Sequence, residues 1–364
     1  MVDFVVVGAG PTGSRFARVA AEFGYDVTVF EAGTVGEPLA CSGHVSTDLW
    51  EYTGPGARGD LLQNDIYGAE FHVRGAGSDA YSFYRDAVVS NVIDRVGLDR
   101  HLAALAREAG ADIRENHAVT AIEERADSVA VIVSTPDGVE TVEARMVAGC
   151  DGPRSKVRTE LGLAGPDEVL HGVLGFDERP DAGDFVDVHL TVPGFFAWRI
   201  PRGEAGVEYG LGAPPGRDVR QRFDRLVRDY GANVTRHRSG AIPIGPPSSV
   251  TSRRGFLIGD AAAQTKPFTG GGILYGLTSA DHAARTIDPS NPATLDDYET
   301  AWRKDLGTEI LLGRWIRRAY SLPEPIQRVG LRATAGEIGV HMDRPSSLFS
   351  MDQLRAWLSR SRNP

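Results

Sequence analysis

The stretch DFVVVGAGPTGSRFARVAAEFGYDVTVFEAG, residues 3–33, decides the fold. Val5, Val6 and Val7 form a short β-branched run that reads as a buried parallel strand. The chain turns through Gly8-Ala9-Gly10-Pro11-Thr12-Gly13 and enters a helix with Phe16, Val19, Ala20 and Phe23 on its apolar side, stopping near Gly24. A second strand, Val27-Thr28-Val29-Phe30, ends in Glu31. The three glycines serve different ends. Gly8 makes the tight turn, Gly10 admits a pyrophosphate, and Gly13 lets helix and strand pack closely. Glu31 stands where an acidic residue accepts hydrogen bonds from ribose hydroxyls. Strand, glycines, helix, strand and terminal acid together predict a dinucleotide-binding α/β unit.

A second stretch, GFLIGDAAAQTKPFTGGGI at residues 255–273, extends that reading. An apolar run ends in Gly259-Asp260, which puts a carboxylate at the carboxyl edge of the sheet, where α/β folds bind ligands. Gly270, Gly271 and Gly272 then free backbone N–H groups at the start of a helix. Alone, this is also an ordinary strand–loop–helix corner; the upstream fingerprint gives it a ligand-binding meaning.

The 364 residues suffice for two intimately joined domains. No run reaches the roughly 18–20 apolar residues of a membrane span, and Met1 leads directly into a strand, so a cytoplasmic protein is expected, with contact at the inner membrane face left open. Cys41 and Cys150 provide neither a disulfide framework nor a metal cluster, and the nine histidines are scattered, so no metal is expected. A net charge of −10 argues against nucleic-acid binding. Of 39 basic residues only Lys156, Lys266 and Lys304 are lysine, a bias that suits coding preference or a salt-rich habitat.

Along the chain, residues 36–60 are rich in Gly, Pro and Ser and read as a long functional loop. Residues 91–113 form an amphipathic helix with Leu98, Leu102, Leu105 and Ala109 at helical spacing. Strands are expected near 117–123, 128–134 and 139–148, an insertion typical of FAD-binding domains. From 166 to 250 the segments HGVLGF, DFVDVHLTV, FFAWRIP and VEYGLG read as an antiparallel sheet roofing a ligand cavity, with a short helix at 220–231. Beyond 294 the pattern is helical. The organisation expected is a discontinuous Rossmann-like FAD domain of the aromatic hydroxylase type (1–165 and 251–290), an antiparallel β substrate domain (166–250) and a helical C-terminal region (291–364).

Four segments carry a family resemblance. GCDGPRSKVRTELGL, with Asp151, Gly152, Ser155 and Arg158, looks like the D-G-x-x-S-x-x-R motif of FAD enzymes related to aromatic hydroxylases. The loop at Gly36, Pro38, Cys41 and Ser46, the strand PGFFAWRIP at 193–201, and the ending KPFTGGGI resemble segments of the archaeal geranylgeranyl reductases. Departures are Ser42, where that family often has glycine after the cysteine, and a shorter substrate region. The resemblance implies FAD, with Gly10–Gly13, Thr12 among them, at the pyrophosphate and Glu31 at the ribose. It implies further cofactor contacts at Gly8, Ala40, Cys41, Arg95 and Asp151. Asp260 would meet the ribitol or pyrophosphate side, and Gly271, Gly272 and Ile273 the pyrimidine end of the flavin ring. It also implies reduction of an isoprenoid lipid double bond by hydride from reduced flavin, with protonation of the second carbon.

Several residues keep two readings. Cys41 is either the proton donor or positioning group, or a small buried hydrophobe. His44 tunes that thiol, or is a solvated loop residue. Phe196 and Trp198 line the substrate cavity, or simply pack their sheet. Arg95 approaches FAD, or is a surface arginine. The arginines of 314–318 are a solvated helix face or, with Trp315 and Ile316, a membrane-facing one. The chain is expected to act as a monomer. NAD(P)H, a ferredoxin or a deazaflavin could each supply electrons, since no second dinucleotide fingerprint is present. The rival readings are a flavin monooxygenase, a flavin halogenase and a non-enzymatic FAD protein. The hydroxylases carry a His-rich G-x-G-x-N version of the second motif, and halogenase chemistry uses an N-terminal lysine, which is lacking before Lys156.

Overall fold

A computed structural model describes residues 1–37, 40–216, 218–337 and 341–349. Pro38 of the cysteine loop and the tail beyond 349 fall outside the described residues. The strand Val2–Val7 pairs in parallel with Val27–Phe30 on one side and with Gly138–Gly149 on the other. Asp112–Arg114 extends the first edge, also in parallel. Gly138–Gly149 is long enough to serve two neighbours: Val129–Thr135 pairs antiparallel with its first part and Gly255–Leu257 parallel with its end. Ala118–Glu124 completes this seven-stranded sheet. The helices Pro11–Glu22, Arg95–Glu108 and Ile273–Thr286 accompany it.

The core beneath the two sequence fingerprints is aromatic. Phe4 meets Phe16 edge-on at 5.2 Å, Phe16 meets Phe256 at 5.4 Å, and Phe256 meets Tyr298 at 5.9 Å between ring centres. Edge-to-face pairs add about 0.5–1.5 kcal/mol each beyond the area they bury. This cluster joins the first strand, the first helix, the returning strand and the long C-terminal helix Leu295–Ala319. Phe23, expected on the inner face, instead caps the end of its helix and is exposed.

An eight-stranded sheet takes the order Arg236–Ile244, Glu168–Asp177, Val207–Ala213, Ala197–Pro201, Phe185–His189, Gly68–His72, Ala80–Tyr84 and Gly336–Glu337. It is antiparallel except where Phe185–His189 meets Gly68–His72 and where the last strand meets Ala80–Tyr84. The sheet therefore draws on residues 68–84 as well as on the 166–250 span. A small sheet of His44–Ser46, Ser90–Ile93 and Leu62–Ile66 lies between.

Two local readings are corrected. Residues 36–60 are not one loop: they hold the strand His44–Ser46 and helical turns at Thr47–Leu49, Trp50–Thr53 and, continuing, Ala57–Leu61. These pieces are too short for a helical period to show, and burial of Val45, Leu49 and Leu61 with Leu98 and Leu277 fixes them. The helix expected over 91–113 runs only over Arg95–Glu108. Asn91, Val92 and Ile93 belong to a buried strand, and Asp94 caps the helix by accepting a 3.1 Å hydrogen bond from the Val96 N–H.

Candidate functional site

The site begins at the turn after the first strand. A Cβ on Gly13 would collide with the Gly8 carbonyl, so only glycine allows this approach of helix to strand. A Cβ on Gly10 would meet nothing within 4 Å, leaving the N-terminus of the 12-residue helix open to an anionic ligand. Glu31 holds the turn from the neighbouring strand end. Its Oε2 accepts from the Ala9 N–H at 2.8 Å and its Oε1 from the Gly33 N–H at 3.1 Å. Each oxygen keeps lone-pair capacity for a ribose hydroxyl.

The second fingerprint docks on the first through Thr12. A Cβ on Gly259 would lie 2.7 Å from Thr12 Oγ1, and one on Gly276 would collide with the same atom. Gln264 fixes the corner: its Oε1 accepts from the Gly259 N–H at 2.7 Å, and its Nε2 donates to Tyr298 Oη at 3.1 Å. The Asp260 carboxylate leans on Gly272, where a side chain would displace it. Burial pushes Asp260 up to about 6, opposed by the nearby Arg95 guanidinium. Arg95 is buried, ion-paired through Nη1 with Asp99, and its Nε has no partner among the described residues. An unpaired Arg95 donor, the Asp260 carboxylate, which makes no hydrogen bond among the described residues, and the open Gly10 turn are what an extended ligand carrying phosphates and hydroxyls would complete.

Asp151 first serves its own turn. Its Oδ2 accepts from the N–H groups of Lys156 at 2.6 Å and Val157 at 3.0 Å, and Ser155 caps Arg158 N–H at 2.9 Å. Arg158 in turn donates to the Ala261 carbonyl at 3.0 Å, tying this motif to the Asp260 corner. Asp151 Oδ1 is buried without a partner among the described residues. Cys150 is partly buried against the core beside Gly13, and burial pushes its thiol well up.

The cysteine loop and the glycine triplet converge on one strand. A Cβ on Gly240 would lie 3.2 Å from Ala40 Cβ, while a Cβ on Gly270 would lie 3.0 Å from Ile242 Cγ2 and 3.2 Å from Phe195 Cζ. Residues 240 and 242 share a face of the strand Arg236–Ile244, about 7 Å apart, so Ala40 and Gly270 rest against neighbouring positions of that face. Cys41 is a free, half-buried thiol next in the chain to Ala40. Gly271, Gly272 and Ile273 are partly exposed at the head of their helix.

The aromatic wall is continuous with this point. Phe196 stacks on Phe195 at 4.4 Å and approaches Trp198 at 5.7 Å and Tyr320 at 5.9 Å. Trp198 lies over Gly210, and its Nε1 donates to Glu208 at 2.8 Å. His44 is not a solvated loop residue: it sits in a strand, its Nε2 2.7 Å from Ser90 Oγ. Burial, with Lys266 nearby, lowers it to about 4, so it is neutral at pH 7.

Four residues here escaped sequence reasoning. Lys266 packs its stem under Gly271 and pairs with Asp343, which arrives from the far end of the chain. Arg202 and Glu208 form a buried pair behind the cysteine loop. A charged residue at an apolar strand position is the one available signal, and Glu208, inside the buried strand Val207–Ala213, shows it. Two clusters have metal-ligand spacing, contrary to the scattered-histidine reading: Asp48, His341 and Asp343, and Glu70, His72 and Asp187. Each already contains a protein cation, Lys266 on Asp343 and Arg199 on Asp187.

Residues 1–188, just over half of the chain, match the family model described as an FAD binding domain. A digeranylgeranylglycerophospholipid reductase of Methanothermobacter thermautotrophicus is 30% identical over 85% of this chain and 85% of its own length. A geranylgeranyl bacteriochlorophyll reductase-like structure from Thermoplasma acidophilum superposes with TM-score 0.86 at 22% identity, covering 99% of this chain and 98% of that one. A p-nitrophenol 4-monooxygenase from Pseudomonas putida superposes with TM-score 0.74 at 19% identity, covering 100% and 98%, so the fold itself is shared with hydroxylases. The aromatic hydroxylase-type FAD scaffold is thus established, and FAD is the cofactor that its turn, acid and unpaired Arg95 donor fit. The chain belongs to the digeranylgeranylglycerophospholipid reductase family of FAD-dependent oxidoreductases.

Proposed function

We propose that this protein saturates trisubstituted double bonds in isoprenoid chains of ether lipids. One observation carries the reading: Ala40, before Cys41, and Gly270, opening the triplet, rest on one strand face beside Phe195 and Phe196. FAD, when bound, supplies the hydride. Gly10 and the helix behind it receive the pyrophosphate, Glu31 the ribose, and Arg95 and Asp260 the middle of the cofactor. The N–H groups of Gly272 and Ile273 would meet the developing negative charge, where fixed dipoles act without reorganising, whereas that of Gly271 donates to Thr269 Oγ1 at 3.3 Å. Phe196 and Trp198 align an apolar chain and exclude water. Cys41 Sγ holds the proton destined for the second alkene carbon, or fixes that carbon's position. His44, neutral at pH 7, is a poor acid for the step and serves the loop through Ser90.

The aromatic wall leads to the surface through Tyr320, which donates to the Phe268 carbonyl at 3.0 Å. Beyond Tyr320 lie exposed Trp315, Leu322 and Ile326, and this is the side on which we place contact with a lipid surface.

The test is anaerobic photoreduction of the FAD-loaded protein, followed by an unsaturated archaeal-type ether lipid dispersed in detergent. Reoxidation with formation of the saturated lipid is expected, and Cys41→Ser should slow it at least about tenfold while leaving FAD bound. Reoxidation only on admission of oxygen would favour a monooxygenase and overturn the reading.

A further inference from the structure

The cysteine loop is held from behind by one buried guanidinium. Arg202 lies just past the end of the strand Ala197–Pro201 and is 6% exposed. Its Nη1 donates to the carbonyl of Ser42, the residue after Cys41, and to Glu208 Oε2 at 3.2 Å. Its Nη2 donates to Gln63 Oε1 at 2.6 Å and to the Ile93 carbonyl at 3.0 Å. The guanidinium plane lies near the Phe176 ring, 5.5 Å from its centre. Four bonds run from one planar group to the cysteine loop, both neighbours in the small sheet, and the large sheet.

The other partners close the arrangement. Ile93 N–H donates to the Gly43 carbonyl at 3.0 Å, and Gly43 has a positive φ of 67° with no room for a side chain against the Ile93 carbonyl. The residues after Cys41 are therefore gripped at two successive carbonyls. Two residues beyond Ile93 stands Arg95, the buried cation facing Asp260. On the opposite side, Glu208 is fully buried and shared between Arg202 and the Trp198 indole N–H. A buried ion pair gains little net stability over apolar packing of the same volume. Its directionality is a different matter: a rigid fork of donors fixes several acceptors at once, which a lysine ammonium on a flexible stem cannot.

We infer that Arg202 is the positioning residue of the active site, setting Cys41 against the flavin end and coupling that placement to the substrate wall through Glu208 and Trp198. The inference rests on the proposed role of Cys41. Arg202 is expected to touch neither lipid nor FAD.

The experiment uses the full-length, FAD-loaded protein carrying Arg202→Met together with Glu208→Gln, which removes both charges and leaves Trp198 an acceptor. Arg202→Lys is the second variant and keeps a buried cation opposite Glu208. Three readouts are taken: FAD content, the rate of Cys41 alkylation by iodoacetamide followed by peptide mass spectrometry, and steady-state turnover of the detergent-dispersed lipid. Both variants are expected to retain FAD and to alkylate Cys41 at least about fivefold faster. They should lose at least about tenfold in kcat with KM within about twofold, and Arg202→Lys should not rescue. Wild-type alkylation and kcat in a folded, FAD-loaded variant would overturn the assignment, as would rescue by lysine. Should the double variant lose FAD, Arg202→Lys decides by the same readouts. If the unaltered protein proves inactive on the lipid, the reading of its function fails, whereas the alkylation rates still judge the loop tether.

Discussion

At the scale of single residues, the site is built from groups whose burial sets their protonation. His44 is the clearest. Its ordinary value of 6.5 falls to about 4 because burial and the neighbouring Lys266 and Arg202 oppose the imidazolium, with Asp343 only partly compensating. The unfolded chain binds a proton at this position as pH drops through 6.5, and the native protein resists until about 4. Stability from His44 is therefore full above pH 6.5 and is lost as pH falls toward 4, by up to about 3 kcal/mol. Urea unfolding at pH 7 and pH 5 should show a larger acid loss for the wild type than for His44→Gln, whose side chain can still reach Ser90. The buried His189, also lowered to about 4, contributes equally to both proteins and cancels. Equal acid losses would show that His44 is not the responsible group. None of this was legible in the sequence, where His44 is a polar residue in a glycine-rich stretch and its strand is three residues long.

At the scale of elements, what could be read was what is local. The first strand, turn and helix stand where the pattern of residues 3–33 placed them, because burial, glycine sterics and helix periodicity all act within that window. The sheet insertion near 118–149 and the strands around 168–213 follow for the same reason. What was missed depends on distant partners: Gly68–His72 finds its place only beside Phe185–His189, and Asp343 has meaning only against Lys266. The contact between the two fingerprints is of this second kind. Helix Ile273–Thr286 lies against helix Pro11–Glu22 at Gly276, where Thr12 Oγ1 fills the space of a side chain, and Arg15 pairs with Asp281 at 2.5 Å alongside. Gly276→Ala should force the helices apart at a cost of about 1–3 kcal/mol and weaken FAD retention. Thr12→Ala in the same chain should recover part of both, read as melting temperature and bound flavin absorbance. If the double variant is no better than Gly276→Ala alone, the contact is not the cause.

At the scale of the whole molecule, the proposed substrate is a lipid, and no helix among the described residues is long and apolar enough to cross a membrane. Contact with a lipid surface would need exposed apolar residues. Leu311 and Trp315 lie four residues apart on one stripe of the long helix, and Ile326 and Val329 three apart on the helix Glu324–Thr334, with Leu322 in the turn between them. All five are exposed. Residues 311–332 carry five arginines and one glutamate in a chain of net charge −10. Arg314 and Arg317 are paired with Asp167 and Glu168, whereas Arg318 lies over the Trp315 ring and Arg332 is exposed, neither with a carboxylate partner among the described residues. An apolar stripe flanked by unpaired cations on an otherwise acidic protein suits an anionic lipid surface, and the acidic remainder would hold other faces away from it. Tyr320, between the two helices, touches Phe196, so a chain taken up here enters beside the aromatic wall. The full-length protein should co-float with phosphatidylcholine vesicles containing phosphatidylglycerol, less with phosphatidylcholine alone, and less again as salt is raised. Trp315→Ser with Ile326→Ser and Val329→Ser should weaken that binding about tenfold or more while leaving turnover of detergent-dispersed lipid unchanged, since none of the three supports the core. Binding that is indifferent to these substitutions would place the membrane contact elsewhere, and a change in oligomeric state on making them would show that the stripe faces a second copy of the chain.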